Sequence, residues 1–480
     1  MNVLSTLTPC EVFRYFEEIS AVPRGSGYRE KIADYCENFA KEKGLSVYRD
    51  SANNVVIFKE ASKGYENAEP IIIQGHLDMV WQKDTDCTKD LEREGIDLYI
   101  DGDFIRAKGT TLGADNGIAV AMAMAILADD TLSHPKIEAV FTTDEEVGML
   151  GAKELDVNVL SAKKMLNVDS EEPGVITVSC AGGSDFTMTI PYNRQVAMGE
   201  KVIISLKGLK GGHSGIEIDS GRVNANILAG RILGHLSNKF DFDIALINGG
   251  NRANAIANLC QIVLVTEDSK ELAESAKEYT NAIKTEIFAK EENFSAEIEV
   301  LEKDEYEVLG KSEKDKLIYA LSLAPNGVQE MSAEIENLVE TSLNLGILET
   351  KEDEISMTFA LRSSKKTALF ALCEKLGIFA KCLGLNSQTS GFYPPWEFKR
   401  DSKMQDLCSG VYEEMFGAKP KIEAIHAGLE CAVFAGAIDG LDCISIGPRV
   451  LDAHTTKERL SISSTKEVYD LIINILRNCD

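Results

Sequence analysis

The chain predicts an α/β fold: a sheet flanked by helices, interrupted by a long inserted segment of α+β texture. Three observations lead there. Strand-like and helical segments alternate from residue 28 to 169, reactive polar residues gather where continuous apolar runs stop, and the pattern changes near residue 185 and returns near 385. A length of 480 residues exceeds what one hydrophobic core usually organises, so more than one domain is expected. With 44% hydrophobic and 26% charged residues there is material for packed interiors and no compositional sign of long disorder.

Taken in order, Ile32, Cys36, Phe39 and Ala40 recur at helical spacing over 28–43, and Gly44 ends that helix before a strand around Val55–Phe58. The run Ile71-Ile72-Ile73 leads into Gly75-His76-Leu77-Asp78, as a buried strand does when its polar residues appear only at its end. Gly113-Ala114-Asp115-Asn116-Gly117 opens a helix through Leu127. The strand Ile137–Phe141 follows and ends at Thr142-Thr143-Asp144-Glu145-Glu146; another runs from Met165 to Asp169. Sheets of this kind hold ligands at their strand ends.

Beyond 185, strands at 202–206 and 260–266 flank a helix at 223–236, and a charged helix covers 268–290. Strand 296–301, helix 313–323, strand 355–361 and helix 366–382 repeat the alternation. The expected organisation is a catalytic domain of 1–184 plus 386–480, containing a helix at 402–416 and a strand at 443–446, and an inserted domain of two similar halves at 185–385.

Fifty Lys and Arg against 77 Asp and Glu give a net charge of −27, which repels phosphate backbones and anionic lipid surfaces. Neither nucleic acid nor membrane is an expected partner. Eleven cysteines, with no C-x-x-C, suit reduced thiols, and the first residues lack a basic start followed by an apolar run, so a cytoplasmic location is expected. Gly310-Lys311-Ser312 lacks the glycine a phosphate-binding loop needs, and neither G-x-S-x-G nor H-E-x-x-H occurs.

Only six histidines occur, and two sit beside aspartates at apparent strand ends, His76-Leu77-Asp78 and Asp452-Ala453-His454. Residues i and i+2 of a strand share a side, so His76 and Asp78 can share a site, where a carboxylate fixes the tautomer of a ligating imidazole. Alone, each candidate has an ordinary explanation: a hydrogen-bonded histidine, a helix cap at Asp115, exposed turn acids at Glu145-Glu146. Together, His76, Asp115, Glu146, Asp169 and His454 suit two cations sharing one carboxylate, and Glu145 is left free to act on water.

The segments QGHLDMV (74–80), GTTLGADNG (109–117), TTDEEVGMLGA (142–152), NVDSEE (167–172), KGGHSG (210–215), NGGNRANAI (248–256), HAGLEC (426–431) and DAHTTKERLSI (452–462) resemble the zinc-dependent aminoacylase and carboxypeptidase superfamily, in its aminoacyl-histidine dipeptidase branch, nearly end to end. The resemblance implies a zinc-exopeptidase-type mixed sheet with an inserted lid. It also implies that His76 and Asp169 bind one cation and Glu146 and His454 the other, that Asp115 bridges them through a cis Asp115-Asn116 peptide, that Asp78 orients His76, and that Glu145 is the general base. It puts His213, Asn254, Arg362 and His426 on the substrate side. The expected activity is hydrolysis of dipeptides, Xaa-His among them, by water activated between two divalent cations, zinc foremost with cobalt or manganese as alternatives. A tripeptidase and an N-acyl amino acid amidohydrolase are the enzymatic rivals; a metal-binding scaffold is the non-enzymatic one. A small peptide is the expected partner, and the oligomer is left as monomer or homodimer. His134 and His235 match no motif and are expected to be structural.

Overall fold

In the computed structural model, which describes residues 3–479, the chain divides into two compact units. Met1–Cys180, Phe398–Ala424 and Leu429–Asp480 form the first; Ala181–Glu397 and Ile425–Gly428 form the second.

The isoleucine-rich strand Ile71–His76 is buried at every position, as its unbroken apolar run requires. It lies inside an eight-stranded mixed sheet and pairs in parallel with Ile137–Thr142 on one side and Lys164–Asn167 on the other. Asp442–Ser445 adds a further parallel strand, while Val55–Lys59, Ser46–Arg49 and Val175–Cys180 pair antiparallel toward the margins. The register sets Gln74 opposite both Val140 and Asn167, so three parallel strands finish side by side. Their first loop residues are therefore forced together. Ala114–Ala128 is apolar all round and is buried over nearly its whole length, the signature of an interior helix; Cys10–Ser20 and Ile462–Arg477 pack on it through their apolar faces. A small four-stranded sheet brings Arg459–Ser461 and Val450–Leu451 beside Phe104–Ala107 and Leu98–Asp101.

The second unit is built on one nine-stranded antiparallel sheet. Eight strands run in a row: Ser295–Val308, Gln195–Lys207, Cys260–Thr266, Asp243–Gly249, Val339–Thr350, Glu354–Ser363, Gly182–Pro191 and Asn386–Tyr393. Gly327–Met331 pairs beside Val339–Thr350. The segments expected to form two halves are interleaved in this single sheet: Ser295–Val308 of the second set pairs with Gln195–Lys207 of the first, and Gly249 pairs with Leu348. Helices Ala225–Ser237, Ser269–Ile287, Lys311–Leu323 and Lys366–Leu383 send Leu233, Leu272, Leu317 and Leu376 into one core with Ile204, Leu264, Leu345 and Phe359 of the sheet. At the end of the row, Ser295–Val308 carries six acids against one lysine, and most of its residues are exposed.

Among the described residues no helix is long and apolar enough to cross a membrane. The eleven cysteines all lie among the described residues, and none is in a disulfide.

Candidate metal centre

The aligned strand ends of the first unit supply the centre. His76 closes its strand; Glu145 and Glu146 follow Ile137–Thr142; Asp169 follows Lys164–Asn167. Asp115 enters from the start of the buried helix, where Gly113 occupies the N-cap in the left-handed region (φ 69°) and Asp115 and Asn116 break the helical backbone across a cis peptide. Asp115 is thus not the helix cap, and its side chain is free to face the strand ends. His454 reaches the same place from the loop after Val450–Leu451, also with a left-handed backbone (φ 61°).

The two oxygens of Asp115 face different histidines. Oδ1 lies 3.1 Å from His76 Nε2 and Oδ2 lies 3.0 Å from His454 Nε2. Asp169 Oδ1 stands 3.7 Å from His76 Nε2, and Glu146 Oε1 stands 2.9 Å from His454 Nε2. Two half-sites of one histidine and one acid are thereby joined through one carboxylate. Ligand atoms of His76, Asp115 and Glu146 all fall within 4.8 Å of one another.

The nearest partner of His76 Nδ1 is the Asp78 main-chain carbonyl at 3.1 Å, with the Asp78 carboxylate at 3.4 Å. Those acceptors hold the proton on Nδ1 and aim the Nε2 lone pair at Asp115. The Asp78 carboxylate also accepts the Glu145 amide at 3.0 Å and the Ser26 hydroxyl at 2.7 Å, so it fixes the Glu145-Glu146 turn as well as the imidazole.

A lone pair facing a carboxylate oxygen at hydrogen-bond distance needs either a second proton or a cation between them. Without the cation, burial opposes charging His76, yet its bonds to Asp115 and Asp78 and the charge of Asp169 hold its pKa well above the ordinary value. Bonds to Asp115 and Glu146 push His454 up to about 11. Burial drives the acids Glu145 and Asp169 well above the carboxylate range, against the pull of His76 and with neighbouring acids adding to the rise. Glu146 Oε1 is buried, with the imidazole of His454 as its neighbour. Three carboxylates, Asp115, Glu146 and Asp169, gathered around two imidazoles are a donor set that fits divalent cations, which would compensate the acids together.

Three further residues, unrecognised as functional in the sequence, brace the centre. Asn116 accepts the His76 amide at 3.1 Å through Oδ1 and donates through Nδ2 to Asp169 Oδ1 and to the Val168 carbonyl, both at 2.7 Å. Its signals in the sequence were its place beside Asp115 in GTTLGADNG and its polarity at the start of a largely apolar helix. Arg24, fully buried, donates to the carbonyls of Leu77 at 3.0 Å, Asp78 at 3.2 Å and Gly113. Glu458, 3% exposed, accepts backbone amides of the Asp115 turn. Neither has any periodicity around it to mark it, and Glu458 had only its place within the segment DAHTTKERLSI. Replacing Arg24 with Met would strip three carbonyls of their donor and uncover the acids around them, at a cost of about 3–5 kcal/mol. The check is the urea midpoint of the variant, which falls while the m-value stays constant.

In the second unit, His213, Arg362 and His426 converge on Gly215. A Cβ there would lie 2.4 Å from the His426 carbonyl oxygen, 2.9 Å from His213 Cε1 and 3.1 Å from Arg362 Nε, so the glycine is required by close approach. His213 Nδ1 accepts the amides of Gly215 at 3.1 Å and Ile216 at 3.2 Å, leaving the ring proton on Nε2. Burial and Arg362 lower its pKa and keep it neutral. Arg362 is 8% exposed, donates to Tyr393 at 2.9 Å and keeps a buried Nε without a hydrogen-bond partner. Asn254 joins this cluster by its backbone, its carbonyl accepting the Ser214 amide at 2.9 Å, while its residue surface is exposed. The two remaining histidines serve structure: His134 Nδ1 lies 2.7 Å from the Pro135 carbonyl, and His235 stacks on Tyr279 at 3.8 Å.

His426 Nε2 lies 2.7 Å from the Ser342 hydroxyl, and burial, with Arg362 and His213 nearby, lowers its pKa from 6.5 to about 3. In the unfolded chain it titrates near 6.5, so between there and about 3 only the unfolded state takes up the proton. Its contribution is fully present above 6.5 and is lost as pH falls. Relative to His426→Asn, the wild-type unfolding free energy should therefore drop by roughly 1.4 kcal/mol per pH unit below 6.5, read from urea melts across that range.

Residues 72–478 match the model of peptidase family M20/M25/M40. The cytosol non-specific dipeptidase of Escherichia coli (strain K12) is 37% identical over 484 residues, covering 99% of each chain. The crystal structure of an aminoacylhistidine dipeptidase from Vibrio alginolyticus superposes with a TM-score of 0.89 at 36% identity, over 99% of this chain and 98% of that one. A tripeptidase from Staphylococcus aureus shares the fold at 15% identity, with a TM-score of 0.56 over 98% of this chain and 99% of that one.

Proposed function

Since the chain belongs to peptidase family M20/M25/M40, we propose that it is a dipeptidase whose hydrolytic centre holds two divalent cations, zinc foremost, between His76, Asp115, Asp169, Glu146 and His454. The single observation that carries this reading is the placement of the two Asp115 oxygens against two different histidines. Cations bound there would bring a water toward neutral acidity and polarise the scissile carbonyl.

The remaining work falls to side chains. Glu145 takes the proton of the attacking water and returns it to the leaving amine, the work of a carboxylate that is not itself among the five proposed ligands. Asp78 keeps His76 in one tautomer and holds the Glu145 amide, so ligand and base share one support. His213, with its proton on Nε2, is a neutral donor for the carbonyl oxygen as charge builds there. Arg362 offers a partly unpaired guanidinium for the carboxylate of a dipeptide, with His426 beside it and Asn254 as a further polar contact. A cytoplasmic location and a monomer or homodimer complete the proposal.

The deciding experiment is metal analysis paired with a substrate panel containing dipeptides, β-alanyl-histidine included, tripeptides and N-acetylated amino acids. Two cations per chain, with turnover highest on dipeptides and abolished by chelation, is the expected result. Preference for tripeptides or N-acetylated amino acids would move the activity to one of those classes. Undiminished turnover in the stripped protein would refute the metal centre.

A further inference from the structure

His76 and His454 are held in very different ways. The His76 residue is 1% exposed, sits in a buried strand, and is fastened by Asn116 and Asp78. The His454 side chain is 50% exposed and rises from a surface loop. Packing fixes the first. Something else must fix the second.

Four residues after His454, Glu458 reaches back to the turn that carries Asp115. Its Oε2 accepts the amides of Leu112 at 2.8 Å and Gly113 at 2.9 Å, and its Oε1 accepts those of Ala114 at 2.8 Å and Asp115 at 3.3 Å. Four consecutive N–H groups converge on one carboxylate because Gly113 curls the chain through the left-handed region. Arg24 holds the Gly113 carbonyl of the same turn. On its own side Glu458 closes a tight loop, its amide donating to the Thr455 carbonyl at 3.1 Å, while the Thr455 hydroxyl donates to the Asp452 carbonyl at 2.7 Å. One buried carboxylate thus ties the His454 loop to the Asp115 turn.

We propose that Glu458 is a positioning residue that sets the register of His454 against Asp115, and so sets the affinity of the cation site formed by His454, Glu146 and Asp115 while leaving the His76 site nearly untouched. This rests on the two-cation reading above. A carboxamide cannot replace the carboxylate: Glu458→Gln presents an NH2 group to two of the four amides, where donor would meet donor.

The test strips the protein with a chelator and titrates it with Co2+, following visible absorption and counting bound ions by equilibrium dialysis. The wild type should bind two ions. Glu458→Gln, with its circular dichroism unchanged, should bind one ion within threefold of the wild-type affinity and the other at least thirtyfold more weakly. Glu458→Asp, which keeps the charge on a shorter arm, should recover part of that loss; it also replaces the Gln variant in the titration if the latter does not fold. Two ions at wild-type affinity, or equal weakening at both sites, would overturn the proposal. A wild type that binds no ion would overturn the two-cation reading, and this inference with it.

Discussion

Replacing Glu145 with Gln should lower kcat on a dipeptide by roughly a hundred- to ten-thousand-fold, the range general acid–base catalysis supplies, with two cations per chain retained. The side chain keeps its size, and the Glu145 backbone amide keeps its bond to Asp78, so the turn that also carries Glu146 is not disturbed. What disappears is a group able to take a proton. Because the residue is not among the five proposed ligands, a loss confined to kcat with KM and metal content constant is the diagnostic pattern. Retained turnover with both cations present would remove Glu145 from its role as base.

Asp115→Asn should strike harder. The carboxamide has one oxygen where the carboxylate has two, so it can serve the His76 side or the His454 side but not both. Bound metal should fall from two ions to one, and turnover by about three to five decades, the equivalent of several kcal/mol of lost transition-state stabilisation. The backbone of the turn remains anchored on Glu458, so the protein should melt cooperatively as before. Measuring metal content beside thermal unfolding separates a lost site from a lost fold. Two ions and near-normal turnover in this variant would show that Asp115 does not bridge.

Much of the first unit was legible because a buried parallel strand writes itself plainly: the apolar run around Ile71–Ile73 stops where His76 begins, and the run at Ile137–Phe141 stops just before the acids. Strand ends in an α/β sheet are where side chains can turn toward a common ligand, so the same pattern marked fold and candidate site together. In the second unit the helices Ala225–Ser237, Ser269–Ile287, Lys311–Leu323 and Lys366–Leu383 follow their apolar spacing closely. The strands Gly182–Pro191, Val339–Thr350 and Asn386–Tyr393 escaped notice because Ser, Thr and Asn interrupt them, and the last is exposed over most of its length. Polar alternation in an antiparallel strand is hard to separate from loop texture.

The braces were illegible for a different reason. Arg24 and Glu458 act on backbone carbonyls and amides, and a main-chain partner leaves no complementary residue type to find in the sequence. The short return Ile425–Gly428, which brings His426 into the second unit, likewise has no compositional mark. Contacts between distant loops are decided by the finished fold, whereas strand ends are decided by local pattern.

The outermost strand of the large sheet has a consequence for the life of the chain before and after folding. Ser295–Val308 offers a long row of main-chain groups with a free side, the kind of template on which chains aggregate. An antiparallel copy laid against it would bring Glu297, Glu299, Glu302, Asp304, Glu305 and Glu307 up to the same six acids, relieved only by Lys303. Like charges facing across a strand pair repel, so growth of the sheet in that direction is opposed from within the strand itself. High salt, which weakens such repulsion, is the condition under which the protein should first lose its solubility through this edge.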